Sequence, residues 1–167
     1  FQITGGDGGG DPARINLPPG TYKLKIKGGG EDGAVTGDLD IAGPMEIVGA
    51  GSATTTIDGG GAKDRVFEVL PFGTLDLTGV TITKGKAVEG KDDTGRGGGM
   101  RATGDVTLTD VVFTKCSASQ DGGGLSVEEG ATATVDQCWF IKNKSKDDGS
   151  GVDISDGNLV MTNSTLE

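Results

Sequence analysis

The chain contains no histidine, so no imidazole can activate a serine or cysteine nucleophile, and histidine-based hydrolytic sites are excluded. Cysteine is nearly absent. Cys116 and Cys138 are too few for a disulfide framework, stand at no metal-ligand spacing and leave the redox compartment open. No apolar run approaches the ~20 residues that a bilayer-spanning helix needs, so membrane insertion is not expected. No signal peptide is present, and a start at Phe1 rather than Met reads as a processed or excised piece. Positive charge is scarce too: 15 Lys and Arg stand against 25 Asp and Glu, for a net −10 and a pI near 4.4. Such a balance repels phosphate backbones and anionic lipid, so neither nucleic acid nor a membrane surface is an expected partner.

What the chain has in excess is glycine, 33 of 167 residues, with 33% hydrophobic residues. That composition alone fits a Gly-rich disordered segment as well as a folded domain, so order has to come from periodicity. The length suits one domain.

A repeat supplies the order. Leu75, Leu77, Val80 and Ile82 align with Val106, Leu108, Val111 and Phe113, then with Ala133, Val135, Cys138 and Phe140. Leu159, Met161, Ser164 and Leu166 continue the series, with steps of 31, 27 and 26 between Leu77, Leu108, Val135 and Met161. Spacing of two, three, two is that of two short strands with alternating inward side chains, joined by a one-residue corner. A second register lies between the copies, where Gly97 to Met100, Gly122 to Leu125 and Gly149 to Val152 each precede an inward candidate: Ala102, Val127 and Ile154. Phe67 and Val69 read as an earlier copy of this register. Each repeat therefore holds three short strands, and a coil of ~4.8 Å pitch pairs each strand with its equivalent in the next.

Upstream, Leu39, Ile41, Met45 and Ile47 read as a looser copy of the first register, with Pro44 as an extra residue and Ile57 as a further inward position. Ile15, Leu17, Tyr22, Leu24 and Ile26 read as the first coil, turned at Pro18-Pro19-Gly20. The expected fold is an all-β, single-stranded parallel β-helix of about five to six coils over residues 15–167, preceded by a Gly/Asp-rich leader over 1–14. Glycines at the corners supply positive φ or close approach between coils.

Gly122 to Leu125 and Phe140-Ile141-Lys142-Asn143 resemble the two short motifs of polymorphic outer membrane protein repeats, GGA plus an aliphatic residue and F-x-x-N. Residues 15–26 and 37–58 also look like secreted β-helix repeat proteins of environmental bacteria. The chain departs from the pattern where Cys116 and Gly85 replace the equivalent of Asn143, so an asparagine ladder is not sustained. The resemblance implies a right-handed solenoid displayed at a bacterial cell surface or secreted, with adhesion or assembly as its task; with no histidine in the chain, enzymatic activity is not expected. It names no ligand.

Candidate sites follow from the register. The Gly-rich corners stack Lys63, Arg96, Asp121 and Asp148 in one column, which brings the carboxylates of Asp121 and Asp148 within reach of a shared calcium ion, helped by Asp147 or by Asp92 and Asp93. A solvated acidic turn balanced by Arg96 is the plainer reading. Gly5-Gly6-Asp7-Gly8-Gly9-Gly10-Asp11 is similar to a calcium-binding nonapeptide but carries its second Asp one position late. A polysaccharide lyase would need calcium plus a basic residue such as Arg96 or Arg101. Outward threonines form partial columns, Thr107 with Thr134, and Thr78, Thr109 and Thr162 with Asp136 interrupting. Val112, Trp139 and Ile141 alternate with inward residues and form an outward sticky patch. Leu166 lies in an uncapped last rung, which invites strand pairing with another chain. Val112, Trp139, Ile141 and Leu166 are thus the candidate interface for a homo-oligomer or filament, with surface polysaccharide as the alternative partner. Cys138 is expected inside, too far from Cys116 for a bridge, and Asn163-Ser164-Thr165, a formal glycosylation acceptor, falls within a core strand.

Overall fold

The computed structural model describes residues 12–28, 35–90 and 95–167, and among these every regular element is a β-strand. The first rung holds β1 (Ala13–Leu17) and β2 (Gly20–Lys23), and the second holds β3 (Leu39–Ile41), β4 (Pro44–Gly49) and β5 (Thr55–Asp58). The third holds β6 (Phe67–Val69), β7 (Thr74–Thr83) and β8 (Lys86–Ala87), the fourth β9 (Met100–Ala102), β10 (Asp105–Thr114) and β11 (Ser117–Ala118). The fifth holds β12 (Leu125–Glu128), β13 (Thr132–Asp136) and β14 (Trp139–Ile141), the last β15 (Val152–Ser155), β16 (Asn158–Thr162) and β17 (Thr165–Leu166). Strands pair with their equivalents in neighbouring rungs, in parallel. One sheet runs β1-β4-β7-β10-β13-β16, a second β3-β6-β9-β12-β15, and β8 pairs β11. The chain is a parallel β-solenoid of about five turns.

Stacking in register makes the core a set of vertical columns. Ile15, Ile47, Leu77, Leu108, Val135 and Met161 lie one above another, as do Tyr22, Ile57, Ile82, Phe113, Phe140 and Leu166. The rings of Phe113 and Phe140 are parallel to within 4°, with centroids 4.8 Å apart, which is the strand spacing itself. Leu39, Phe67, Met100, Leu125 and Val152 form the column of the second sheet. The middle rungs are sealed, and Phe67, Leu77, Leu108, Phe113, Leu125 and Phe140 have no solvent exposure.

The corner between the first two strands is one residue wide where β7 and β10 bend, and that residue has positive φ throughout: Gly79 67°, Asp110 52°, Gln137 54° and Asn163 48°. Left-handed backbone costs a residue with a Cβ about 1–2 kcal/mol, which the ladder on either side of the corner offsets. At Gly124 glycine is required for another reason: an added Cβ would sit 2.5 Å from the carbonyl oxygen of Gly151 and 3.0 Å from the Phe140 ring.

Three expectations need correction. Leu39 and Ile41 pair with Phe67 and Val69 in the second sheet, whereas Met45 and Ile47 pair with Leu75 and Leu77. The second rung spends residues 50–54 on a loop where later rungs use a single corner residue, so apolar spacing alone misplaces its register. Ile26 is 57% exposed rather than inward, because the chain leaves the first rung after Leu24. Asn163 lies at an exposed corner, not within a strand, and its amide donates to Asp136 Oδ1 at 2.7 Å.

Phe113 is enclosed between Ile82 and Phe140, so Phe113→Ala is expected to lower unfolding free energy by about 3–5 kcal/mol in urea titrations. A shift near zero would mean that these rungs do not pack as columns.

Candidate functional site

Strand alternation turns the middle residue of each second-sheet strand outward, and the register stacks these residues as Asp40, Glu68, Arg101, Ser126 and Asp153. Outward residues of a surface sheet are ordinarily solvated. Here Asp40 is 7%, Glu68 5% and Ser126 0% exposed, and Asp38, Asp64, Arg65 and Glu128 beside them are buried as well. Charges removed from water survive only when paired, and these are joined into a ladder. Arg65 Nη1 donates to Glu68 Oε2 and lies 3.4 Å from Asp38 Oδ2, while its Nε donates to the Arg96 carbonyl at 3.3 Å. Arg101 spans two rungs, with Nη1 2.6 Å from Glu68 Oε1 and Nη2 3.0 Å from Glu128 Oε2. Ser126 Oγ donates to Glu128 Oε1 at 2.9 Å.

Acid outnumbers base in this network. Burial, and after it the carboxylate of Asp64, pushes Asp38 up to about 8 against the pull of Arg65. Asp38 therefore holds its proton far above the ordinary carboxylate range, which offsets part of the acid surplus. Arg101 behaves oppositely: burial would lower it, but Glu128 and Glu68 more than reverse this and hold the guanidinium charged. Arg101 accordingly contributes fixed positive charge and is unsuited to accept a proton. Asp38, Asp40 and Glu68 offer oxygens within 4.8 Å of one another, a partial ligand set for a hard cation, yet Arg65 already reaches two of those three carboxylates.

The corner column expected from the sequence is present. Arg96 Nε lies 3.2 Å from Asp121 Oδ2, and Asp121 Oδ1 accepts the Asp148 backbone N–H at 2.9 Å. Asp121 thus caps the next rung's backbone and faces Arg96, while the Asp148 side chain is exposed. Asp92, Asp93 and the segment Gly5 to Asp11 lie outside the described residues.

Val112 and Trp139 are vertical neighbours on the outer face, Trp139 39% exposed, with Thr81 and Thr165 continuing the column. Ile141 is half-buried two residues along. Leu166 belongs elsewhere: it stacks on Phe140 in the inward column and is 52% exposed because no rung among the described residues covers it. The sequence reading missed Phe72, a positive-φ corner residue that is 97% exposed. It missed the buried ion ladder also, although Glu68 and Arg101 are the residues between inward pairs that spacing did identify.

Both cysteines are buried and unbridged. Burial pushes the Cys116 thiol to about 12 and the Cys138 thiol to about 11, so neither is a nucleophile near neutral pH. Their own backbone N–H groups are capped from the next rung: Cys116 N–H donates to Asn143 Oδ1 at 3.0 Å, and Cys138 N–H to Ser164 Oγ at 2.9 Å. Asn143, the one asparagine matching F-x-x-N, also donates to the Phe113 carbonyl at 3.0 Å.

The sign of the pH dependence follows from Asp38. Its carboxyl is raised in the folded chain, so its stabilising contribution is complete below the unfolded value near 3.8 and declines as pH rises through about 8. Melting temperature is expected to fall between pH 5 and pH 9, and Asp38→Asn to flatten that profile; parallel profiles for the two proteins would contradict the assignment. Arg101→Met leaves Glu68 and Glu128 buried without their shared cation, and a loss of about 3–5 kcal/mol is expected in the same melts.

Comparison of the chain with family models, with curated proteins and with solved structures gives no match.

Proposed function

We propose that this chain is an extracellular structural and adhesive module that associates with further copies, end to end or side by side, within a cell-surface assembly. The observation that carries the reading is an outward apolar column on the first sheet: Val112 and Trp139 are vertical neighbours, and Trp139 is 39% exposed. Phe72, 97% exposed at a separate corner between β6 and β7, and Ile154 and Leu166, 44% and 52% exposed, add further apolar surface. Contiguous apolar surface on an outer face marks an interaction site, and a face repeated at the rung spacing matches a second copy of the same solenoid. Contact between unlike patches is heterologous and extends into filaments when it does not close.

The resemblance to polymorphic outer membrane protein repeats supports surface display and rests on two short motifs. A carbohydrate-binding module is the second reading, supported by the lysine edge described below. Its calcium-dependent form, including a polysaccharide-cleaving one, would need Arg96 to release Asp121 so that Asp121 and Asp148 could share the ion.

Sedimentation velocity over a range of concentrations, with electron microscopy of the same samples, tests the reading. Concentration-dependent association or fibres are expected, weakened by Ile154→Lys with Leu166→Lys at the end and by Trp139→Ser on the face. A chain that stays monomeric at every concentration, or variants that assemble like the parent, would remove the proposal.

A further inference from the structure

The geometry points to one edge of the solenoid, the stretch leaving β2, β5, β7, β10 and β14, as a binding surface for a linear anionic polysaccharide. This deepens the adhesive half of the reading above by naming the polymer to which the module adheres.

Lysine is concentrated along this edge. Nine of the ten described lysines, from Lys23 in the first rung to Lys146 in the fifth, lie at the ends of these strands or shortly beyond, Lys63 stands with Arg96 at the Gly-rich corner, and all ten are exposed. Lys84, Lys115 and Lys142 are equivalent residues of three consecutive rungs. Their backbone N–H groups donate in one ladder to Thr114, Ile141 and Glu167 carbonyls at 3.3, 3.3 and 3.1 Å. Their φ angles are 59°, 58° and 57°, so the side chains leave the corner in the same direction, spaced by the ~4.8 Å between strands. A second column two residues on holds Lys86, Ser117 and Lys144.

Pairing distinguishes these cations from the arginines. Arg14, Arg65, Arg96 and Arg101 all stand within 4 Å of carboxylates, whereas among the described lysines only Lys84 does, with Asp58 Oδ2 at 2.8 Å. Like charges stacked directly opposite in a sheet repel. An extended polymer lying along the solenoid axis, with anionic groups recurring along its length, would relieve that repulsion at several rungs together. The net −10 does not forbid this contact. Acidic groups on other faces are screened beyond ~8 Å at physiological ionic strength, and the ion pair of Lys84 with Asp58 is the one found in the lysine columns among the described residues.

The chemistry favours a sugar polymer over nucleic acid. Neither lysine column contains an aromatic on which a base could stack, and the guanidinium forks that grip phosphate in pairs are engaged in the ion ladder and with Glu46. Ammonium groups, as compact point charges, suit carboxylate or sulfate groups of varied geometry.

Binding of the whole chain to immobilised polygalacturonate, dextran sulfate, neutral dextran and single-stranded DNA tests the inference. Binding to at least one of the two anionic polysaccharides is expected, weakening as sodium chloride rises. Lys115→Gln with Lys142→Gln should lose about tenfold or more in affinity; glutamine already holds positive φ at Gln137, so the corner accepts it. Thr107→Glu with Val160→Glu makes the same change in net charge on exposed positions of another face and should bind like the parent. No binding to either anionic polymer, equal binding to neutral dextran, stronger binding to DNA, or equal losses in both double variants would overturn it. Sedimentation of the lysine variant keeps the two proposals apart. A chain that binds polymer without assembling sinks self-association, and one that assembles without binding polymer sinks the lysine edge.

Discussion

Parallel pairing of each strand with its counterpart one rung away is the constraint on which the rest of the molecule depends. It satisfies the backbone of strands only two to ten residues long, none of which would persist alone. It also forces side chains at equivalent positions to be neighbours. Inside, that produces continuous columns such as Leu77, Leu108 and Val135, and the Phe113 and Phe140 rings stack face to face because the ladder leaves them no other separation. At the corners it fixes a left-handed residue in each successive rung, whether glycine, Asp110, Gln137 or Asn163.

Outside, the same rule creates an electrostatic problem, because a charge repeated at one position faces its own kind ~4.8 Å away. The chain meets it in two ways. On the second sheet, acids and a base succeed one another in the column Asp40, Glu68 and Arg101, and flanking Arg65 and Glu128 close the ladder. That arrangement tolerates burial, with a proton on Asp38 compensating the surplus of acid. Along the other edge, Lys84, Lys115 and Lys142 follow one another at the surface, where water tempers the repulsion. A buried ladder of mixed charge suits structure, and an exposed ladder of one charge suits a ligand of the opposite sign.

Most of the architecture was legible in the sequence. The two, three, two spacing located the corner and both strands from Leu75 onward, and the Gly-rich segments located the third strand, because alternation and glycine geometry are local properties. The second rung escaped where the loop over residues 50–54 broke the spacing. Arg96 beside Asp121 was legible from the alignment of corners, and Trp139 from its outward parity. Lysine segregation was present in the same alignment but hidden by the net charge of −10, which averages over faces.

By itself the sequence determined a parallel solenoid, its core columns and its glycine-bearing corners, since each follows from short-range periodicity repeated at near-constant intervals. Only the tertiary structure decided which polar residues are buried. Asp38, Asp64 and Arg65 adjoin the stacked strands, and their burial depends on neighbours one rung away, 27 to 31 residues distant in sequence. Desolvation and charge pairing are properties of that assembled neighbourhood, so no spacing rule along the chain contains them.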